Sequence, residues 1–310
     1  MDCKQFIREQ IAEIKKTVGT ESAINALSGG VDSSTVTVLG HRALGDRLRT
    51  VFIDSALMRK DEPQKVVETF AQMNVPVELV DARDEFLSAL KGLTDPEEKR
   101  QAVTDTFYSK VFSRLVKESG AKFLLHGTIL TDIEETVAGI KRQHNILDQL
   151  GIDTQARYGY KVVEPLKTLR KDGVRKVAKA LGLPKEIYKR IPFPGPALAA
   201  RIVGEVTEER LETVREATAI VEEELAQTGA FQYFAVLLND KATGISDNKR
   251  EFGQIIVVRC LESTDARTAT VTPVPWPKLN KIADRVTAIK GVNRCLFDLT
   301  PKPPATIEYV

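Results

Sequence analysis

The chain is poor in residues that build covalent or metal-bound frameworks. Its 310 residues hold 3 cysteines, Cys3, Cys260 and Cys295, too scattered for a disulfide framework or a paired-thiol metal site. The 3 histidines, His41, His126 and His144, exclude a His-rich metal centre. No apolar run reaches the roughly 18 residues that cross a bilayer. An excess of one charge is also missing. The 45 Lys+Arg against 43 Asp+Glu leave net +2, which gives no reason to expect general affinity for nucleic acid or membranes. The N-terminal MDCKQFIREQIAEIKK carries a charged amphipathic helix pattern, not that of a signal peptide. What remains, 42% hydrophobic and 28% charged, is a globular composition. At about 150 residues per domain, the length predicts two domains of a cytoplasmic protein.

The first two thirds alternate short apolar runs with helical periods. Ala23–Leu27, Thr50–Asp54, Val75–Val80 and Phe123–His126 read as strands, with Lys161–Glu164 a weaker fifth. Between them, Asp61–Met73, Glu97–Ser119 and Lys171–Leu181 read as helices. This alternation predicts an α/β fold, a parallel sheet with helices on both faces. It breaks between about 127 and 160, a polar stretch too long for an ordinary connection. Pro192-Phe193-Pro194-Gly195-Pro196 then marks a stiff linker. Beyond it, a helix over Thr207–Gln227 and another over Pro277–Ile289 mix with strands near Tyr233–Leu238, Gln254–Cys260, Arg294–Leu299 and Ala305–Tyr309. That order predicts a small α+β domain. The boundaries expected are 1–190, a linker over 191–197, and 198–310.

The strongest local signal is Ser28-Gly29-Gly30-Val31-Asp32-Ser33-Ser34, between the first strand and a helical run over Thr35–Leu44. Two glycines let the backbone turn tightly, so that successive N–H groups converge on an anion at a helix N-terminus. Three serine hydroxyls add donors. Asp32 repels naked phosphate and makes sense as a Mg²⁺ ligand. No lysine follows the second glycine, so this is not the GxxxxGK[ST] loop.

SGGVDSS resembles the pyrophosphate (PP) loop of the ATP pyrophosphatases, whose fold is the adenine nucleotide alpha-hydrolase-like sheet. These enzymes split ATP between its α- and β-phosphates and activate a substrate oxygen as an adenylate. Further segments resemble the ATP-pyrophosphatase part of GMP synthetases: Val51–Arg59, Asp95–Arg100 (DPEEKR), His126-Gly127-Thr128, Val163–Leu166 (VEPL), the proline linker, Gly291–Arg294 (GVNR) and Lys302–Glu308 (KPPATIE). They run in family order from residue 28 to 308.

The resemblance implies amination of xanthosine 5′-monophosphate (XMP) to GMP. Ser28, Gly29, Gly30, Val31, Asp32, Ser33, Ser34 and Asp54 would bind ATP and its pyrophosphate, with Mg²⁺ near Asp32. Arg100, Gln232, Arg294, Lys302, Ile307 and Glu308 would bind XMP. The irregular stretch would be a lid, with Asp132, Glu135 and Lys141 catalytic and His144 and Asn145 beside them. The C-terminal domain would be the XMP-binding and dimerisation domain of a homodimer. The chain begins a short stretch ahead of Ser28 and holds no Cys-His-Glu glutaminase triad, so a separate class I glutaminase subunit is expected to supply ammonia.

Departures from the pattern stand at Ala56 and Ala197, where glycine is usual, at Gln101 and Thr104, at Glu134, and in the ending Tyr309-Val310. Asp247–Phe252 fits the family's loop only with a shifted spacing. The basic run from Lys167 to Lys176 reads as a solvated helix face, with tRNA contact as the alternative. His126 reads as a structural residue at a strand end. NAD synthetase, a tRNA-modifying adenylating enzyme and an inactive nucleotide-binding module are the competing readings; the GVNR and KPPATIE segments argue against the first.

Overall fold

Of the apolar runs that read as strands, Ala23–Leu27, Thr50–Asp54 and Phe123–His126 are largely buried on both sides, as the middle of a covered parallel sheet requires, whereas the runs near Val80 and Val163 are more exposed. In a computed structural model, residues 1–137, 160–246, 248–264 and 266–310 are described. They form two units. One comprises Met1–Asp54, Pro63–Asp81 and Phe107–Arg190; the other comprises Ser55–Glu62, Ala82–Thr106 and Ile191–Val310.

In the first unit, β1 (Ala23–Ala26), β2 (Leu48–Asp54), β3 (Glu78–Asp81), β4 (Phe123–Leu125) and β5 (Lys161–Val163) form a parallel sheet in the order β3-β2-β1-β4-β5. The expected α/β fold is therefore present. β3 is shorter than expected at its start. Pro76 offers no N–H to a ladder, so pairing begins only at Glu78 against Val51. Helix α1 (Cys3–Val18) starts where the Asp2 carboxylate accepts from the Lys4 and Gln5 N–H groups at 2.9 and 3.1 Å. Helices α1, α2 (Val31–Leu44) and α8 (Lys171–Ala180) pack together. The unit also holds most of α3 (Glu62–Gln72), and α6 (Ser113–Ser119), α7 (Leu130–Val137) and α9 (Lys185–Tyr188). Buried Asn25 is satisfied, donating to Thr37 Oγ1 at 2.6 Å and accepting from Thr50 Oγ1 at 2.7 Å.

The single helix expected over Glu97–Ser119 is three segments. Helix α5 (Pro96–Asp105) is followed by a π-helical stretch over Thr106–Phe112 and then by α6. Asp95 caps α5, accepting from the Glu97 and Glu98 N–H groups at 2.8 and 3.0 Å.

In the second unit, α4 (Arg83–Leu90) packs on α5. A long antiparallel ribbon of β6 (Gln232–Ser246) and β7 (Lys249–Glu262) carries short β8 (Thr270–Val271) antiparallel and β9 (Val292–Phe297) parallel to β7. Helix α10 (Glu208–Leu225) packs on β6, and α11 (Trp276–Thr287) packs on β9. Phe234 and Val236 of β6 and Val257 of β7 form a buried cluster, with Val203 and Leu238 against it.

The strand expected near Ala305–Tyr309 is absent. Its alternating residues run as irregular chain, because the carbonyls a ladder would use are taken elsewhere. Arg259 donates to the Thr306 and Ile307 carbonyls at 2.6 and 3.0 Å. No helix among the described residues is long and apolar enough to cross a membrane.

Candidate active site

The sheet order reverses direction between β1 and β4, and ligands of open α/β sheets bind at the carboxyl edge of such a point. The Ser28–Ser34 loop leaves β1 there. Helix α2 begins at Val31, four residues before the expected Thr35, so Asp32, Ser33 and Ser34 lie in its first turn. Gly29 turns the chain at a φ of 72°. Gly30 is the N-cap and has no side chain to spend, which leaves the first-turn N–H groups uncapped by any side chain. The loop is held closed by its serines. Ser28 N–H donates to Ser33 Oγ at 3.2 Å, the two hydroxyls lie 2.9 Å apart, and Ser33 Oγ donates to the Gly30 carbonyl at 3.1 Å. From outside the motif, Arg190 Nη1 donates to the Gly29 carbonyl at 2.8 Å. The turn after β4 faces this loop. A Cβ on Gly127 would lie 3.2 Å from Ser33 N and 3.3 Å from Asp32 C, so a side chain there would press on the backbone of the first turn.

Asp32 is unequally satisfied. Lys171 Nζ donates to Oδ2 at 2.5 Å, while Oδ1 is buried and has no partner among the described residues. One open carboxylate oxygen beside an anion cradle suits Mg²⁺, which takes one or two carboxylates and completes its shell with substrate phosphates. Among the described residues, no group of three or more His, Cys, Asp or Glu is placed to hold a metal without such a substrate. Ser34 Oγ is also buried without a partner. Asp54 ends β2 at the same carboxyl edge.

His126 and Thr128 form a second polar chain at the end of β4. Thr128 donates to Glu164 Oε1 at 2.6 Å and lies 2.8 Å from His126 Nδ1. Because the threonine proton is committed to Glu164, His126 Nδ1 is the donor. Burial holds the His126 pKa below its usual value, against the pull of Glu164. The histidine is thus bonded in place, as expected of a structural residue.

Of the residues expected in a lid, Asp132 is described. Its Oδ2 accepts from the Ile129 N–H at 3.0 Å, the reach-back bond of a capping box that starts α7. Glu134 pairs with Arg170 at 2.6 Å. Glu135 belongs to α7, but its side chain is outside the described residues, as are Lys141, His144 and Asn145.

The six residues expected at XMP all lie in the second unit. The structure joins some of them. Gln232 Nε2 donates to Glu308 Oε1, and the Ile307 carbonyl is held by Arg259. The others have local partners. Arg100 pairs with Glu97 and lines a shallow cleft with Pro196, Ala200 and Val310. Arg294 Nη2 donates to the Thr243 carbonyl at 3.4 Å. Lys302 Nζ donates to the Ala266 carbonyl at 2.8 Å.

Sequence reasoning missed three buried cations here. Lys99 donates to the carbonyls of Ile202, Gly204 and Ala199 at 2.6, 3.1 and 3.4 Å, and burial pushes its pKa down to about 8. Arg259 pairs with Asp298, and Arg201 grips Glu308. Lys99 lies within the DPEEKR segment, which gave it no role; nothing local in the sequence marks Arg201 or Arg259.

Residues 2–213 match the family model of NAD synthase, and residues 219–309 match that of the GMP synthase C-terminal domain. Whole-chain relatives share both parts. One subunit of the glutamine-hydrolyzing GMP synthase of Archaeoglobus fulgidus is 51% identical, over 100% of each chain. The chain belongs to the family of this GMP synthase subunit. The same-named GMP synthase subunits of Methanocella arvoryzae and Pyrococcus furiosus are 50% and 49% identical, over at least 97% of every chain compared. Members of the GMP synthase family are enzymes, and ligases. The PP-loop part corresponds to the five-stranded parallel sheet, and the C-terminal part to the β6–β9 sheet.

Proposed function

We propose that the chain aminates XMP to GMP at the expense of ATP, as the ammonia-using member of a glutamine-hydrolysing pair. The full-length match to a glutamine-hydrolyzing GMP synthase subunit carries this reading. In the first step, O2 of the xanthine ring attacks the α-phosphorus of ATP and pyrophosphate leaves. In the second, ammonia attacks C2, the C2–O bond breaks and AMP departs. The protein's task in the first step is to stabilise charge moving onto pyrophosphate. The uncapped N–H groups of the α2 first turn are already aimed and cost no reorganisation, whereas the Ser28 and Ser33 hydroxyls would turn from their bonds within the loop to donate. Asp32 Oδ1 would hold Mg²⁺, which would draw charge from the leaving pyrophosphate. Asp54 would contact the adenosine. In the second step, Glu135, with Asp132 fixing the start of α7, would take a proton from ammonium. Lys141 would neutralise charge on the adenylate.

XMP would be held by Arg100, Gln232, Arg294, Lys302, Ile307 and Glu308. In chain order, the ATP-splitting part is assigned to 1–190, the linker to 191–197 and the XMP part to 198–310; the excursions Ser55–Glu62 and Ala82–Thr106 join the latter. Burial pushes the Cys260 and Cys295 thiols up, Cys295 to about 11, which supports a source of ammonia outside this chain. A separate glutaminase subunit would deliver ammonia in the cytoplasm. Homodimerisation through the second unit is supported by its exposed apolar residues Ile245, Phe252 and Leu299.

The test is one assay of the chain with ATP, Mg²⁺, XMP and ammonium, nucleotides being separated by chromatography. GMP, AMP and pyrophosphate should form in equal amounts, and glutamine should not replace ammonium. Folded, ATP-binding protein that cleaves no ATP in response to XMP would refute the substrate.

A further inference from the structure

We propose that Arg201 is a positioning residue for XMP, holding the Glu308 carboxylate in one orientation for the nucleotide. The inference rests on the reading of the C-terminal tail as an XMP contact.

The argument starts from burial. The Arg201 side chain is fully buried, and a guanidinium is costly to bury unless it is paired and stacked. It is both. Its Cζ lies over the Phe234 ring at 4.4 Å and over the Phe193 ring at 4.8 Å. Phe193 comes from the proline linker and Phe234 from β6. Arg201 itself ends the short 3₁₀ turn Ala197–Arg201. The two rings pack on the guanidinium, and Phe193 also carries Arg59, at 3.9 Å. Nε then donates to Glu308 Oε2 and Nη2 to Oε1, both at 3.4 Å. A lysine has no such fork.

Glu308 stands two residues from the end of the described chain, where side chains are loosely held unless tied down. Its oxygens are not equivalent. Oε1 takes both Gln232 Nε2 and Arg201 Nη2. Among the described residues Oε2 takes Arg201 Nε, at 3.4 Å, and so keeps lone-pair capacity for a ligand donor such as a purine N–H or a ribose hydroxyl. The tail does not need Arg201 to be placed. Arg259 separately pins the carbonyls of Thr306 and Ile307, and the Lys302 backbone pairs with Ala269. Loss of the Arg201 fork therefore frees the Glu308 side chain rather than the whole tail.

The experiment is a double-mutant cycle on the full chain, with ammonium as nitrogen source and KM measured for XMP and ATP. Arg201→Lys should raise the XMP KM about tenfold, with kcat within about threefold and the ATP KM unchanged. Glu308→Gln should raise the XMP KM at least as much. The double variant should be no more than about twofold worse than Glu308→Gln alone. Multiplicative effects would overturn the proposal, as would a fall in kcat together with a rise in the ATP KM. A raised XMP KM in Glu308→Gln but not in Arg201→Lys would overturn the proposal while leaving the XMP reading. An unchanged XMP KM in Glu308→Gln would overturn the reading of the tail itself. If Arg201→Lys does not fold, Phe193→Leu takes its place in the cycle. It removes one ring from under the guanidinium and should raise the XMP KM about threefold, but not in the Glu308→Gln background. No rise in Phe193→Leu would count against the proposal.

Discussion

Ala56 and Ala197 occupy left-handed backbone, at φ of 64° and 53°, at positions where the family's motifs usually have glycine. Replacing each by glycine separates backbone strain from burial. A Cβ in the left-handed region costs roughly 1–2 kcal/mol relative to glycine. Glycine returns about 0.4–1 kcal/mol of that through the greater freedom of the unfolded chain. At Ala56, which is half-buried, the balance favours glycine by about 0.5–1 kcal/mol. Ala197 is 5% exposed, so its methyl is itself worth about 0.8 kcal/mol of burial. There the gain and loss nearly cancel. Both backbones are otherwise well held, Ala56 O by Arg215 and Ala197 N–H by the Pro194 carbonyl at 2.9 Å. The assay is urea unfolding of each variant, with the midpoint compared at equal slope. Ala56→Gly should be more stable than the parent, with a melting shift of about 2–4 °C per kcal/mol, and Ala197→Gly nearly unchanged. A destabilised Ala56→Gly, or a stabilisation confined to Ala197→Gly, would refute the reasoning.

Gly127→Ala should lower ATP-dependent GMP formation at least about tenfold, since its Cβ presses on backbone at Ser33 and Asp32; a melting temperature close to the parent's would locate the damage in the loop. Lys99→Met should cost about 3 kcal/mol in denaturant unfolding, because it leaves three carbonyls without their donor. His126 gives a pH signature. Its folded pKa lies below the ordinary 6.5, so the unfolded chain binds the proton first. The stability it contributes is present above pH 6.5 and is lost as pH falls from there towards the lower folded value. His126→Gln should flatten the stability profile in that window, and an unchanged slope would show that His126 is not buried neutral.

The parts of this protein legible in its sequence are those whose chemistry is local. Glycine, serine and aspartate in Ser28–Ser34 state a tight turn, an anion cradle and a metal ligand within seven residues, and apolar runs place all five strands of the parallel sheet. Local reading failed where a tertiary partner changes the outcome. Ala305–Tyr309 alternates like a strand, yet Arg259 takes the carbonyls that pairing would need. The period over Glu97–Ser119 is helical throughout, and nothing in it marks the switch to π geometry at Thr106. Burial of one arginine among many leaves no trace in the sequence either, because it depends on which rings close over it. The candidate site residues of each unit are bonded to cations distant in sequence. Lys171 reaches Asp32 across 139 residues, Arg190 reaches Gly29 across 161, and Arg201 reaches Glu308 across 107. The motifs therefore name the groups that would meet the nucleotides, whereas the aim of those groups is set by cations that only the fold brings to them. For that reason, substitutions at Lys171, Arg190 and Arg201, none of which a motif reading would choose, test the site more sharply than further changes within the loop.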